Sequence, residues 1–187
     1  MTYPGPAPST SFTQIFMEDI LYESAKFNLQ QTQTISAQRT IQAMDLTLLK
    51  NEIQFSASTI IASINCLEAY INSILENHFR SQPKEVKEYA RGLRIKTKWY
   101  LAPLILGNPN TFDVTTSPFV NFRHLNSYRN EVIHWDAVVP TPQSGRYPIP
   151  ALRNLNVRNA ELAVRTIKEM INTFCTFTGL TLPSWLI

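Results

Sequence analysis

The run Ser127-Tyr128-Arg129-Asn130-Glu131-Val132-Ile133-His134-Trp135 gathers more chemically capable groups than any other segment of the chain. Arginine presents a planar fork that matches phosphate oxygens. Histidine moves protons near neutral pH. An amide beside them can orient either partner. Arg129, Asn130 and His134 together form a small kit for holding and cleaving a phosphodiester.

Geometry limits how one copy of this segment can act. A helix turns about 100° per residue, so Asn130 and His134, four apart, share a face. Arg129 and His134, five apart, diverge by roughly 140°. They converge only if the arginine reaches around, if the helix frays at His134, or if two copies face each other across a two-fold axis. Structural roles compete with chemistry here. Arg129 can pair with Glu131, Asp136 or another carboxylate, and His134 suits a helix C-terminus as a favourable cation.

The elements that must carry the motif read as helices. Phe119, Phe122, Leu125, Val132 and Ile133 keep the helical period, after a Ser117 cap and Pro118 in the first position, and the helix should end near His134 or Trp135. Upstream, Ser11 or Thr13 is placed to cap a first helix with Ile15, Phe16, Ile20, Leu21 and Phe27. A second helical stretch begins near Ser36 with Ile41, Met44, Leu48 and Leu49, so a boundary is expected at 30–36. From Phe55 to Phe79, Ile60, Ile64, Leu67, Ile71, Ile74 and Leu75 mark a core helix. On it Ala57, Ala62, Ser63 and Ala69 admit a close neighbour. Glu68 and Asn72 stand one turn apart on this otherwise apolar element.

Pro83 opens a further helix, with Val86, Tyr89, Leu93 and Trp99 expected inward. Lys84, Lys87, Arg91, Arg94, Lys96 and Lys98 make it the most basic stretch. Such a stretch reads either as a solvated face or as a contact for an RNA backbone, through Lys84, Lys87, Arg91, Arg94 and Lys98. Pro103 and Gly107-Asn108-Pro109-Asn110 signal a turn, with a loop over 107–117. Prolines at 140, 142, 148 and 150 forbid a long helix there. A last helix is expected from about Asn156 to Phe177, stopped by Gly179, before an apolar tail from Leu180 to Ile187. Alternating strand patterns and internal repeats are absent.

Composition agrees. A chain of 187 residues can build one domain with a real core. Glycine is scarce, at 5 residues, which favours helices over a turn-rich sheet protein. A net charge of +3 permits nucleic-acid binding without demanding it, and no basic tract suggests indiscriminate coating. Cys66 and Cys175 each sit in an apolar helical pattern and read as buried, reduced thiols. The histidines and cysteines lack zinc spacing, so no metal and no cofactor is expected. His78 and His124 read as surface or structural residues. Residues 1–10 are Pro- and Ser-rich and expected to be flexible, with 11–187 a single helical domain. No signal peptide or membrane span is evident, and the cytoplasm is the simplest address.

The sequence Arg129-Asn130-Glu131-Val132-Ile133-His134 resembles the Arg-Asn-x-x-x-His signature of the HEPN superfamily (higher eukaryotes and prokaryotes nucleotide-binding). The helix around Cys66-Leu67-Glu68-Ala69-Tyr70-Ile71-Asn72 is similar to the second core helix of that family. The resemblance covers residues 50–177 and leaves 1–49 and 136–154 without a counterpart. It implies an all-α, up-and-down bundle of five or more helices with the motif late in the chain. It also implies a homodimeric, metal-independent endoribonuclease, often a toxin or phage-defence effector. Arg129 would then hold the scissile phosphate, His134 would act as acid or base, Asn130 would orient, and Glu68 would support. An antitoxin or sensor protein is the further partner the resemblance implies. Some members are inactive modules that bind partners, for example a nucleotidyltransferase antitoxin.

Overall fold

The computed structural model describes residues 16–42, 45–133 and 153–187. Six α-helices lie among them: α1 (Met17–Ile41), α2 (Leu46–His78), α3 (Lys84–Gly92), α4 (Ile95–Ile105), α5 (Phe119–Ile133) and α6 (Val157–Thr178). A single 3-10 turn, Ser184–Leu186, follows. No strand occurs among the described residues, so the expected all-α bundle with five or more helices is what the chain forms.

The N-terminal helices differ from the sequence expectation. No boundary falls at 30–36, because α1 runs unbroken through it. Thr32, Thr34 and Thr40 turn their hydroxyls back onto the carbonyls of Asn28, Gln30 and Ser36 at 2.9, 2.9 and 3.0 Å. Polar side chains that could have offered the backbone an alternative stay inside the helix instead. The true start of the next helix is Asp45, whose carboxylate accepts from the Thr47 and Leu48 amides at 2.7 and 3.1 Å. The stretch expected from Ser36 is thereby divided between α1 and α2. Ser11 and Thr13, the expected caps, lie outside the described residues. The described α1 starts at Met17 with no side-chain cap.

Helix α2 is the central element, packed against α1, α6 and α5. Ile60, Ile64, Leu67, Ile71 and Leu75 are buried as their spacing requires. On α1, Tyr22, Ala25 and Ile35 face the core, whereas Ile20 and Phe27, and Phe16 just before the helix, are exposed. Asn156 caps α6 by accepting from the Asn159 amide at 3.0 Å. Gly179 ends α6 at φ 70°, the left-handed conformation glycine adopts without strain. The tail folds back so that Leu186 is buried and Trp185 packs on Tyr22 and Tyr70, at 5.4 and 6.4 Å between centroids.

The basic segment is two helices, not one. Gly92-Leu93-Arg94 breaks it, and α4 restarts at Ile95. The expected inward residues Val86 and Tyr89 are exposed, because α3 buries only Ala90. Pro103 does not end α4, which continues to Ile105. Trp99 and Ala102, both fully buried, hold that turn closed by packing. Helix α5 begins at Phe119, immediately after Ser117-Pro118, and buries Phe119, Phe122, Leu125 and Asn126. The Ser117 hydroxyl accepts from the Asn121 side chain at 2.9 Å and makes no cap bond to a backbone amide. The Asn108 side-chain amide donates to the Phe177 carbonyl and fastens the loop before α5 to the end of α6.

Cys66 and Cys175 are buried and unpaired, as read from the sequence. The Cys66 thiol donates to the Glu18 carbonyl at 3.2 Å. Burial, then the carboxylates of Glu18 and Asp19, push its pKa far above the usual 9.0. Burial and a 3.5 Å contact with the Cys175 sulfur do the same to Tyr70. Both acids ionise earlier in the unfolded chain, which then binds fewer protons, so stability falls as pH rises through their ordinary values. Lys98 acts oppositely, since burial lowers its pKa from 10.5 and the unfolded chain keeps that proton longer. Above pH 10.5 its contribution is exhausted and the two acids act together. The expected result is a loss of about 1.4 kcal/mol per pH unit for each acid. Urea unfolding between neutral and strongly alkaline pH measures it. Cys66→Ala should remove about half of the alkaline slope; an unchanged slope would show that the thiol ionises equally in both states.

Candidate functional site

Arg129 lies on the face of α5 that meets α2. Its buried neighbours Phe122, Leu125 and Asn126, one or two turns earlier, fix that face inward. The guanidinium therefore emerges against α2, with the side chain 24% exposed. Nη2 donates to Asn65 Oδ1 at 3.1 Å and stands 3.7 Å from Glu68 Oε2. Nη1 donates to Asn130 Oδ1 at 3.3 Å. Nε is buried with no acceptor among the described residues.

This arrangement has chemical consequences. The Asn130 carbonyl oxygen faces a cation, which leaves its amide N–H groups for an acceptor such as a phosphate oxygen. The Arg129–Glu68 pair is long, and Glu68 is 37% exposed. Such pairs contribute about 0–1 kcal/mol, so an incoming phosphate can take the guanidinium from Glu68 at small cost. Glu68 is thus a partner of Arg129. Its place as a supporting residue beside the motif fits the geometry, as does a purely structural ion pair. His134 lies outside the described residues, and the expectation for it rests on the sequence alone. Helix α5 is described to Ile133, the last described residue before 153, so its expected end near His134 or Trp135 also lies outside the described residues. The loop expected over 136–154 also falls almost wholly outside the described residues.

The structure separates the basic residues into two groups. Lys87, Arg91 and Lys98 line a cleft of about 430 Å³ between α2, α3 and α4, and Glu68 lines it too. Lys84 instead pairs with Glu88 at 3.5 Å on the outer side of α3 and is 83% exposed. Arg94 is exposed at the start of α4 and does not line the cleft. Lys98 corrects the expectation of a solvated face, being only 5% exposed. Its ammonium donates to Asn72 Oδ1 at 2.8 Å and to the Arg91 carbonyl at 3.0 Å. The second bond satisfies a carbonyl left open at the C-terminus of α3. Burial lowers its pKa, against the pull of Glu68 and Glu76. Arg91 pairs with Glu76 at 3.1 Å.

Asn65 and Asn72 are the residues that sequence reading did not assign. Each anchors a cation from another helix. The signal was present: Asn65, Glu68, Asn72 and Glu76 interrupt the second half of α2 at steps of three and four, and fall within an arc of roughly 80°. That is one polar stripe on an apolar helix. His78 and His124 are exposed, as expected. Among the described residues no group of three histidine, cysteine, aspartate or glutamate side chains could hold a metal, and no helix is long and apolar enough to cross a membrane.

The fold and site thus define an all-helical protein with an arginine–amide pair seated on its central helix. No protein-family model, curated protein or solved structure matches the chain at a significant level.

Proposed function

We propose that this chain is a metal-independent endoribonuclease of the HEPN type, working in the cytoplasm as a toxin or phage-defence effector. The observation that carries the reading is the seating of Arg129. Its guanidinium is half-buried, tethered by Asn65 and Asn130, and its carboxylate partner Glu68 is easily displaced. Pre-positioned charge of this kind stabilises a phosphorane-like transition state without reorganisation.

In the reaction the ribose 2′-oxygen attacks phosphorus and the bond to the 5′-oxygen breaks. The products are a 2′,3′-cyclic phosphate and a free 5′-hydroxyl. A His134 imidazole takes the 2′-hydroxyl proton, and a protonated imidazole gives one to the leaving oxygen. Two copies of the motif across a two-fold axis would supply both histidines. The nucleophile is internal to the substrate, so the reaction needs no metal-activated water. Of the basic residues, Lys87, Arg91 and Lys98 line one cleft, which supports them as the RNA contacts in this reading.

The test is incubation of purified protein with cellular RNA in the presence of a chelator. Fragments ending in cyclic phosphate are expected. Light scattering at micromolar concentration should give a homodimer, with α5 at the interface. Its exposed residues are Arg123, His124, Ser127, Glu131 and Ile133. All but Ile133 lie on the side of α5 away from Arg129, so the composite site requires a contact that also reaches the edge where Arg129 emerges beside Asn130. A strict monomer, or a dimer with the motifs on opposite outer faces, would remove the composite site.

A second reading is a non-cleaving module that dimerises or binds a partner such as a nucleotidyltransferase antitoxin. It is favoured by the same anchoring, because Asn65, Glu68 and Asn130 also make Arg129 a fastener of α5 to α2. Failure of the protein to cleave any RNA, with and without its partner, would move this reading ahead.

A further inference from the structure

The polar stripe of α2 receives a cation from each of three helices. Arg129 of α5 meets Asn65 and Glu68, Lys98 of α4 meets Asn72, and Arg91 of α3 meets Glu76. From Asn65 to Glu76 the helix rises roughly 16 Å. The charges of one nucleic-acid strand recur about every 3.4 Å of axis when stacked, so this line is long enough to meet more than one phosphate.

The cleft at the far end of the stripe is built for an anion. Lys98 is a buried cation whose two hydrogen bonds go to neutral oxygens. A buried charge is stable only when it is well compensated, and one of its three ammonium donors remains for a ligand oxygen. Lys87 and Arg80 also line the cleft, and neither pairs with a carboxylate among the described residues. Of the lining carboxylates, Glu76 is held by Arg91 at 3.1 Å, and Glu68, 3.7 Å from Arg129, also pulls on Lys98. The subsite therefore rests on Lys87 and Arg80 as its cations unpaired among the described residues. Leu75 and Phe79 supply an apolar wall. A volume of about 430 Å³ accommodates a phosphate with its attached sugar or base.

We infer that the α2–α3–α4 cleft is a second phosphate subsite, in which Lys87, Lys98 and Arg80 hold a backbone phosphate of the same RNA strand whose scissile phosphate lies at Arg129. This rests on the RNA reading of Arg129 but not on cleavage. Glu68, shared by both places, is the seam between them.

The experiment measures binding of a short 2′-O-methyl RNA, which cannot be cleaved, to the full chain across a salt series. Lys87→Ala is the primary variant, because Lys87 is half-exposed on a helix and alanine preserves helix propensity. It should weaken binding about tenfold and reduce the salt slope by about 0.7, the value for one lost single-strand phosphate contact. Arg80→Ala should act in the same direction. Lys84→Ala, an equal loss of charge on the outer side of α3, should leave both quantities nearly unchanged. Equal losses from Lys84→Ala and Lys87→Ala would overturn the subsite in favour of a diffuse field, and no loss from Lys87→Ala would also overturn it.

A second arm titrates adenosine 5′-monophosphate. If that nucleotide binds in a Lys87-dependent manner while RNA binding ignores Lys87, the cleft takes a free phosphate and the same-strand proposal falls. His134→Ala separates this inference from the proposed activity. Cleavage that is absent or indifferent to His134, with RNA binding still dependent on Lys87, would sink the catalytic reading and keep the subsite. Cleavage that needs His134, with binding indifferent to Lys87, would do the reverse.

Discussion

His134→Ala is expected to lower RNA cleavage by roughly 10²–10⁴-fold, the range by which a positioned acid or base accelerates proton transfer. The fold should persist, because His134 is expected at the end of its helix, where core packing is slight. Arg129→Lys tests the other half of the site. Lysine keeps the charge but loses the planar fork that reaches Asn65 and Asn130 at once. A loss on the order of a hundredfold is expected, comparable to removing one fixed donor from a transition-state oxyanion. Both variants are to be assayed in chelator, with circular dichroism to show that the helices remain. Identical fragments from wild type and His134→Ala would mean a contaminating nuclease. Full activity in Arg129→Lys would mean that the fork serves only to fasten α5 to α2.

Trp99→Ala carries the largest expected effect on stability. Trp99 is fully buried at the junction of α4, α2, α5 and α6. Its ring lies 6.1 Å from Tyr70 in a stacked arrangement, and 5.9, 6.4 and 5.5 Å from Phe112, Phe122 and Phe174. Truncation removes the indole and leaves a cavity that these aromatic rings can fill only in part. A cost of about 3–5 kcal/mol follows, a large share of the stability of a single domain. Denaturant unfolding should show a lower midpoint with an unchanged slope. A shift below about 1 kcal/mol would mean that the aromatic cluster collapses onto the vacancy. Trp99 is the neighbour of Lys98 on α4, so Trp99→Ala should also loosen Lys98. Trp99→Phe, which keeps an aromatic ring there, should restore most of both effects.

The sequence alone determined the class of fold, and the reason is periodicity. The spacing of Ile60, Ile64, Leu67, Ile71 and Leu75 leaves one solution, a helix buried along that face. Asn156 and Gly179 bounded α6 because capping chemistry is local, and the two cysteines read correctly as buried thiols. The pairing of Arg129 with a carboxylate was legible as a type of contact, and Glu68 was marked as an unusual charge on an apolar helix. Local pattern could not say that the polar stretch around Thr32 would stay helical, since Thr32 is buried only once α1 has packed on the core.

Nor could it decide which of the lysines and arginines between Lys84 and Lys98 face solvent. Spacing treats them alike, but a break at Gly92 to Arg94 turns α4 against α2 and buries Lys98 on Asn72, while Lys84 stays outside. The acceptors Asn65 and Asn72 are separated by 64 and 26 residues from the cations they hold. Hydrogen bonds across such distances exist only because the apolar faces of α2, α4 and α5 have already packed. The residues able to do chemistry were therefore written in the sequence, and their partners were fixed by the burial of everything around them.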